Sequence, residues 1–303
     1  MAYLKLIRFQ NLILILLVQV IIKYALFHPF EIDVTLTTLQ FSMLVLSTLC
    51  IAAAGYIIND IQDVEIDRIN KPEKVIVGKK VTEKMAFTLF IVLNCVGVLL
   101  GFFLSNSIGK PGFFALFIII SALLYLYATY MKSVIVIGNI VISALVAMTL
   151  IVVGLFDLMP AITPDNQSTQ STFFSIVLDY ALFAFIINLI REMVKDIQDV
   201  DGDKNGGITT LPIAIGRKRT TYIVFALAVM LLFGIVYYMY SYLYYKQIAI
   251  IYFLFLIVAP LIYFCVRSWG ATTKKDNRLL SQFLKIITIL GMGSLLLYQF
   301  ILI

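Results

Sequence analysis

Histidine is almost missing from this chain, which has one, His28, among 303 residues. Clustered histidine metal sites are therefore excluded, and any imidazole catalysis would fall to a single side chain just ahead of Pro29. Cysteine is scarce as well. Cys50, Cys95 and Cys265 lie far apart in apolar runs with no CxxC pair, so they read as packing residues and not as ligands or a redox couple. Charge is the third shortage, at 13% of residues where an ordinary soluble domain carries about 25%. Hydrophobic residues make up 62% instead, and a soluble globular protein is excluded.

Apolar runs long enough to cross a bilayer, about 20 residues each, fall near 11–27, 38–58, 85–104, 113–131, 134–156, 172–190, 220–240, 248–266 and 283–303. The expectation is an all-α polytopic membrane protein with nine transmembrane helices. The first run begins soon after Lys5 and Arg8, but His28-Pro29-Phe30-Glu31 does not resemble a small-residue cleavage site, so it is read as a retained helix.

The net charge of +6 has an ordinary explanation in this setting. With the N-terminus inside, all but three of the 23 Lys and Arg residues fall on inner segments; the exceptions are Lys23, Lys110 and Lys246. This positive-inside pattern predicts a plasma (inner) membrane protein with its N-terminus and both long polar segments, 59–84 and 191–219, on the cytoplasmic side. The basic surplus calls for no nucleic-acid partner.

Those two polar segments carry one device twice. Asn59, Asp60, Asp63 and Asp67 follow the second run; Asp196, Asp199 and Asp203 follow the sixth, and at an offset of 136 the pentapeptide DIQDV is identical. On a helix, spacings of 3, 4 and 7 share a face, so each set forms an acidic stripe. Such a stripe repels itself unless a cation lies against it, and near a bilayer clustered carboxylates are costly enough to imply a partner. Oxygen ligands without His or Cys favour Mg²⁺, held by a few carboxylates together with substrate phosphates. Two facing stripes with a diphosphate between them meet that demand. Lys132, in the short 127–132 turn, and Arg68, Arg191, Lys195 and Lys204 beside the stripes are the basic residues available to pair with phosphate oxygens or with the aspartates. Tyr127 and Tyr130 offer ring faces to a cation, although most of the aromatics read as core or interface residues.

Taken together these residues resemble the UbiA superfamily of intramembrane prenyltransferases. The likeness is carried by the NDxxDxxxD motif at 59–67, Asn70-Lys71-Pro72, the YxxxxK turn with Gly138-Asn139, the REMVKDIQDVDGD motif at 191–203 and Thr210-Leu211-Pro212. Arg8 and Asn11 fit the family's first helix, while Phe9 stands where a proline is common. The resemblance implies one membrane domain over 1–303, with its helices bundled around a central cavity. It implies Mg²⁺ ligands at Asn59, Asp63, Asp199 and Asp203, with Asp60, Asp67 and Asp196 as further ligands or supports. Diphosphate contacts would come from Lys132, Arg68, Lys195 and Arg191, and catalytic roles from Lys132, Asp67 and Arg191. The substrates implied are a prenyl diphosphate, with geranylgeranyl favoured, and a lipophilic acceptor. The form of the second motif favours the hydroxyl of geranylgeranylglyceryl phosphate; an aromatic quinone precursor is the alternative. A transporter with acidic motifs, from another class, would place its charges at mid-bilayer in broken helices.

Overall fold

In the computed structural model, which describes residues 1–301, nine helices among the described residues are long and apolar enough to cross a membrane. They are α1 (Phe9–Phe30), α2 (Thr38–Gln62), α3 (Glu83–Ser107), α4 (Pro111–Thr129), α5 (Ile137–Ala161), α6 (Gln167–Asn205), α7 (Arg217–Leu243), α8 (Gln247–Trp269) and α9 (Lys274–Phe300). Residues 302 and 303 of the ninth expected run lie outside the described residues. Where boundaries differ from the apolar runs, local capping decides them. Thr37 and Gln40 form a capping box that starts α2, and Thr82 accepts the Met85 N–H at the start of α3. A second capping box, Thr273 with Asp276, starts α9 nine residues before the apolar run at 283, so the polar stretch 274–282, outside that run, is helical.

α6 is the hub. It packs against α5, α7 and α9, and its end meets the short helix Val64–Asn70, while α2 packs along α3 and α4. One apolar core joins α1, α2, α5 and the first half of α6; another joins the second half of α6 with α7, α8 and α9. α3 and α4 bury the smallest share of their apolar windows, and their outward Leu99, Phe103 and Ile119 form lipid-facing surface.

At the end of the bundle away from the acidic motifs, a buried ion pair ties α1 to α5. Lys23 Nζ donates to both Asp157 oxygens at 2.9 and 3.0 Å and to the Leu36 carbonyl at 2.9 Å. The Leu36 N–H completes the Asp157 shell at 2.9 Å. The acid is fully buried, and every bond it makes satisfies a group that lipid would leave unpaired.

Candidate active site

The two acidic motifs are not built alike, although their sequences are. The second was read as following its membrane helix, but it lies wholly inside α6, whose 39 residues extend about 58 Å at 1.5 Å per residue, well beyond an apolar bilayer core of about 30 Å. Asp196, Asp199 and Asp203 therefore share one face of a continuous helix. The first motif corrects the expectation of a single stripe: α2 ends at Gln62, Asp63 takes up φ −91° and ψ 0°, and a new helix begins at Val64. Carboxylates are disfavoured at a helix C-terminus, where the macrodipole is already negative, and the break turns the chain toward α6.

What closes the gap is Asn70. Its Nδ2 donates to the Asp199 carbonyl at 2.9 Å and to Asp203 Oδ1 at 3.3 Å, while its Oδ1 accepts the Gly202 N–H at 3.0 Å. Next to it, Lys71 forms an ion pair with Asp199. Burial works against the Lys71 ammonium, but the Asp199 carboxylate holds its pKa above the ordinary lysine value. Asp67, on the short helix between the two stripes, is pushed up by burial, against the pull of Lys71.

Most of the other expected acids have partners. Asp60 takes Arg8 at 2.8 Å, and Asp196 accepts the Asn139 amide at 2.7 Å. Asp63 accepts the Asn59 amide at 2.8 Å and pairs with Lys132. Burial lowers the Lys132 pKa to about 8, against the attraction of Asp203. The turn that carries Lys132 is forced back onto α5. Val136 sits at φ 64°, a left-handed conformation costly for a β-branched residue, and Gly138 passes so close that a Cβ there would lie 2.7 Å from Lys132 Cα.

The remaining basic residues separate. Arg191 and Lys195 line the same cavity as the aspartates, and both engage Glu192, at 3.7 and 2.6 Å. Arg68 turns outward to Glu65 at 2.8 Å, its side chain 52% exposed, and Lys204 is exposed as well. Tyr127 lines the cavity, whereas Tyr130 is 68% exposed. Lys71, Asn70, Asn139 and Glu192 join the site from within or beside the motifs, although the spacing of the acids marks none of them. The available signal was the Asn-Lys pair directly after the first motif.

The cavity measures about 1160 Å³. Its mouth is the two motifs with Lys71 and Lys132; further in, α2, α4 and α5 supply an apolar wall that includes Ile51, Leu124, Ile142 and Val146. Among the described residues no three His, Cys, Asp or Glu side chains close up into an ion cage. Carboxylates spaced around a mouth and paired with amines suit a cation shared with phosphate oxygens, the usual arrangement for Mg²⁺, and the all-oxygen donor set of Asn59, Asp63, Asp199 and Asp203 fits that ion. The chamber thus joins a rim of acidic and basic side chains to a largely apolar inner wall.

Known proteins resemble this chain in sequence and in fold. The chain is 30% identical over 250 residues to the digeranylgeranylglyceryl phosphate synthase of Methanosphaera stadtmanae, covering 80% of this chain and 83% of that protein. A solved digeranylgeranylglyceryl phosphate synthase structure superposes with a TM-score of 0.62 at 26% identity, over 97% of this chain and 98% of that one. A UbiA homologue from Archaeoglobus fulgidus bound to DMAPP and Mg²⁺ shares the fold, with a TM-score of 0.62 at 17% identity over 97% and 98% of the two chains. Residues 16–287 match the UbiA prenyltransferase family, and the chain belongs to that family as a multi-pass membrane protein.

Proposed function

We propose that residues 1–303 form one catalytic unit that transfers a geranylgeranyl group from its diphosphate to the hydroxyl of geranylgeranylglyceryl phosphate. The observation that carries this reading is the meeting of both aspartate motifs at the mouth of a cavity with an apolar inner wall. The M. stadtmanae relative named for this reaction supports the choice of acceptor.

In this reading Asn59, Asp63, Asp199 and Asp203 hold Mg²⁺, with Asp60, Asp67 and Asp196 behind them. When bound there, Mg²⁺ neutralises the charge that develops on the departing diphosphate. Lys132 and Lys71 exchange their carboxylate partners for phosphate oxygens, a charge-assisted contact available to both amines. The apolar wall takes the prenyl chain and keeps water from the allylic carbon while its bond to the diphosphate oxygen breaks. The ring of Tyr127 lies in the same chamber, where a π face favours a developing carbocation. The acceptor oxygen then bonds to that carbon and passes its proton to the departed diphosphate. The charge pattern supports a plasma-membrane location with the N-terminus and both motifs facing the cytoplasm.

The test is transfer of labelled geranylgeranyl diphosphate by purified protein in detergent to geranylgeranylglyceryl phosphate, homogentisate or a dihydroxynaphthoate. Transfer to the glyceryl phosphate is expected, abolished by EDTA and reduced at least a hundredfold by Asp63→Ala or Asp199→Ala. Transfer to an aromatic acceptor alone would replace the proposed acceptor, and no Mg²⁺-dependent binding of the diphosphate would overturn the reaction itself.

A further inference from the structure

The wall that α9 contributes to the cavity is cationic in a way the diphosphate site leaves unexplained. α9 presents Arg278, Gln282 and Lys285 to the chamber, positions 4 and 7 residues apart and so on one face. Lys285 lies 11 residues past the start of α9 at Lys274, about 16 Å along the axis at 1.5 Å per residue. Among the described residues neither Arg278 nor Lys285 has a carboxylate within ion-pair distance, and Lys285 Nζ donates to the neutral Asn11 Oδ1 at 3.1 Å. Arg8, Lys71, Lys132 and Lys274 are each neutralised, by Asp60, Asp199, Asp63 and Asp201, whereas the lining residues Lys5, Lys74, Lys80 and Lys275, like Arg278 and Lys285, have no ion-pair partner among the described residues.

Positive-inside topology accounts for charge at the very start of a spanning helix. Lys285 stands at the head of the apolar run of α9, only partly exposed, and lines the chamber with a neutral amide as its partner, a position that suits an anionic ligand. Arg191 fixes this wall relative to the aspartates: from α6 its Nε donates to the Ser281 carbonyl at 3.3 Å.

We propose that Arg278 and Lys285 bind the phosphate monoester of the acceptor and so set the preference for a phosphorylated acceptor. The inference rests on the function proposed above. A dianionic phosphate supplies the counter-charge that these two side chains lack, and the amides of Gln282 and Asn11 stand beside them as further donors. An uncharged acceptor would leave both cations unmatched. The donor diphosphate is handled separately, at the rim with Lys71 and Lys132.

Steady-state kinetics of Arg278→Gln and Lys285→Gln test this, using geranylgeranyl diphosphate as donor and either geranylgeranylglyceryl phosphate or phosphate-free geranylgeranylglycerol as acceptor. Each variant should raise the KM for the phosphorylated acceptor about tenfold or more, the loss of one charge-assisted contact. The donor KM should stay within about twofold, and the preference of the unmodified protein for the phosphorylated acceptor should collapse. Arg278→Lys and Lys285→Arg should recover most of the loss. An unchanged acceptor KM, or a donor KM that rises in parallel, overturns the proposal. So does a loss of stimulation by anionic vesicles with an unchanged acceptor KM, which assigns the cations to lipid headgroups. If the unmodified protein ignores geranylgeranylglyceryl phosphate and accepts an aromatic compound, the functional reading itself falls, and that result is distinct from any variant effect. Should Lys285→Gln fail to fold, Arg278→Gln, at the exposed end of the stripe, carries the same test.

Discussion

Asn70 and Gly202, 132 positions apart, meet face to face, with the Gly202 N–H donating to Asn70 Oδ1 at 3.0 Å. The contact is possible only because residue 202 has no side chain, since a Cβ there would lie 2.4 Å from the Asn70 amide carbon. Gly202→Ala is therefore expected to push the short helix away from α6 and separate Lys71 from Asp199. Diphosphate affinity should fall about tenfold or more, with a stability loss of about 1–3 kcal/mol from overpacking. Titration with a non-reactive diphosphate analogue and a thermal melt in detergent measure the two effects; unaltered affinity would show that the Asn70 contact does not position the site.

Lys71 and Arg68 offer a direct contrast. Lys71 faces Asp199 inside the cavity, whereas Arg68 pairs with Glu65 on the surface. Lys71→Ala should weaken Mg²⁺-dependent diphosphate binding about tenfold, the loss of a charge-assisted contact. Arg68→Ala should alter it by about twofold or less, because exposed ion pairs contribute about 0–1 kcal/mol. Equal effects from the two substitutions would contradict the placement of these side chains.

The Lys132 turn has no room for a methyl group at position 138. The Cβ of Gly138→Ala would meet backbone, Lys132 Cα at 2.7 Å and the Met131 carbonyl oxygen at 3.0 Å, which no side-chain rotation relieves. Turnover should drop about tenfold or more as Lys132 moves off the site, since misplacement by about 1 Å can cost about a hundredfold. Gly270→Ala is the control, because a Cβ there meets nothing within 4 Å. Single-turnover rates of the two variants decide it, and wild-type turnover in Gly138→Ala would remove Lys132 from the proposed role.

At the other end of the bundle, Asp157→Ala should strand Lys23 as an uncompensated buried cation and destabilise the protein by about 3–5 kcal/mol. The double variant Asp157→Leu with Lys23→Met should regain most of that, since a buried pair is often replaced by apolar residues at little cost. Melting temperatures in detergent across this cycle give the coupling, and a double variant no better than the single would show that the bonds to Leu36 matter more than the charge pair.

The number and order of the spanning helices were legible in the sequence because a bilayer imposes a length on each apolar run, and that requirement is local. The helix ends were less so. The start of α9 at Lys274 depends on the Thr273–Asp276 box, and the continuation of α6 to Asn205 on its packing against the short helix, so hydropathy alone stops both too short. The site was legible as chemistry but not as pairing. Aspartates at spacings of 3, 4 and 7 point by themselves to a cation and phosphate, because that spacing concentrates negative charge on one helix face. Tertiary structure alone decided that the first motif breaks at Asp63, that Lys71 and not Arg68 meets the second motif, and that Asn139 reaches Asp196. These partners lie 57 to 128 positions apart. Each is selected by where a helix ends and which way its face turns, a property of the packed bundle that no local run of residues encodes.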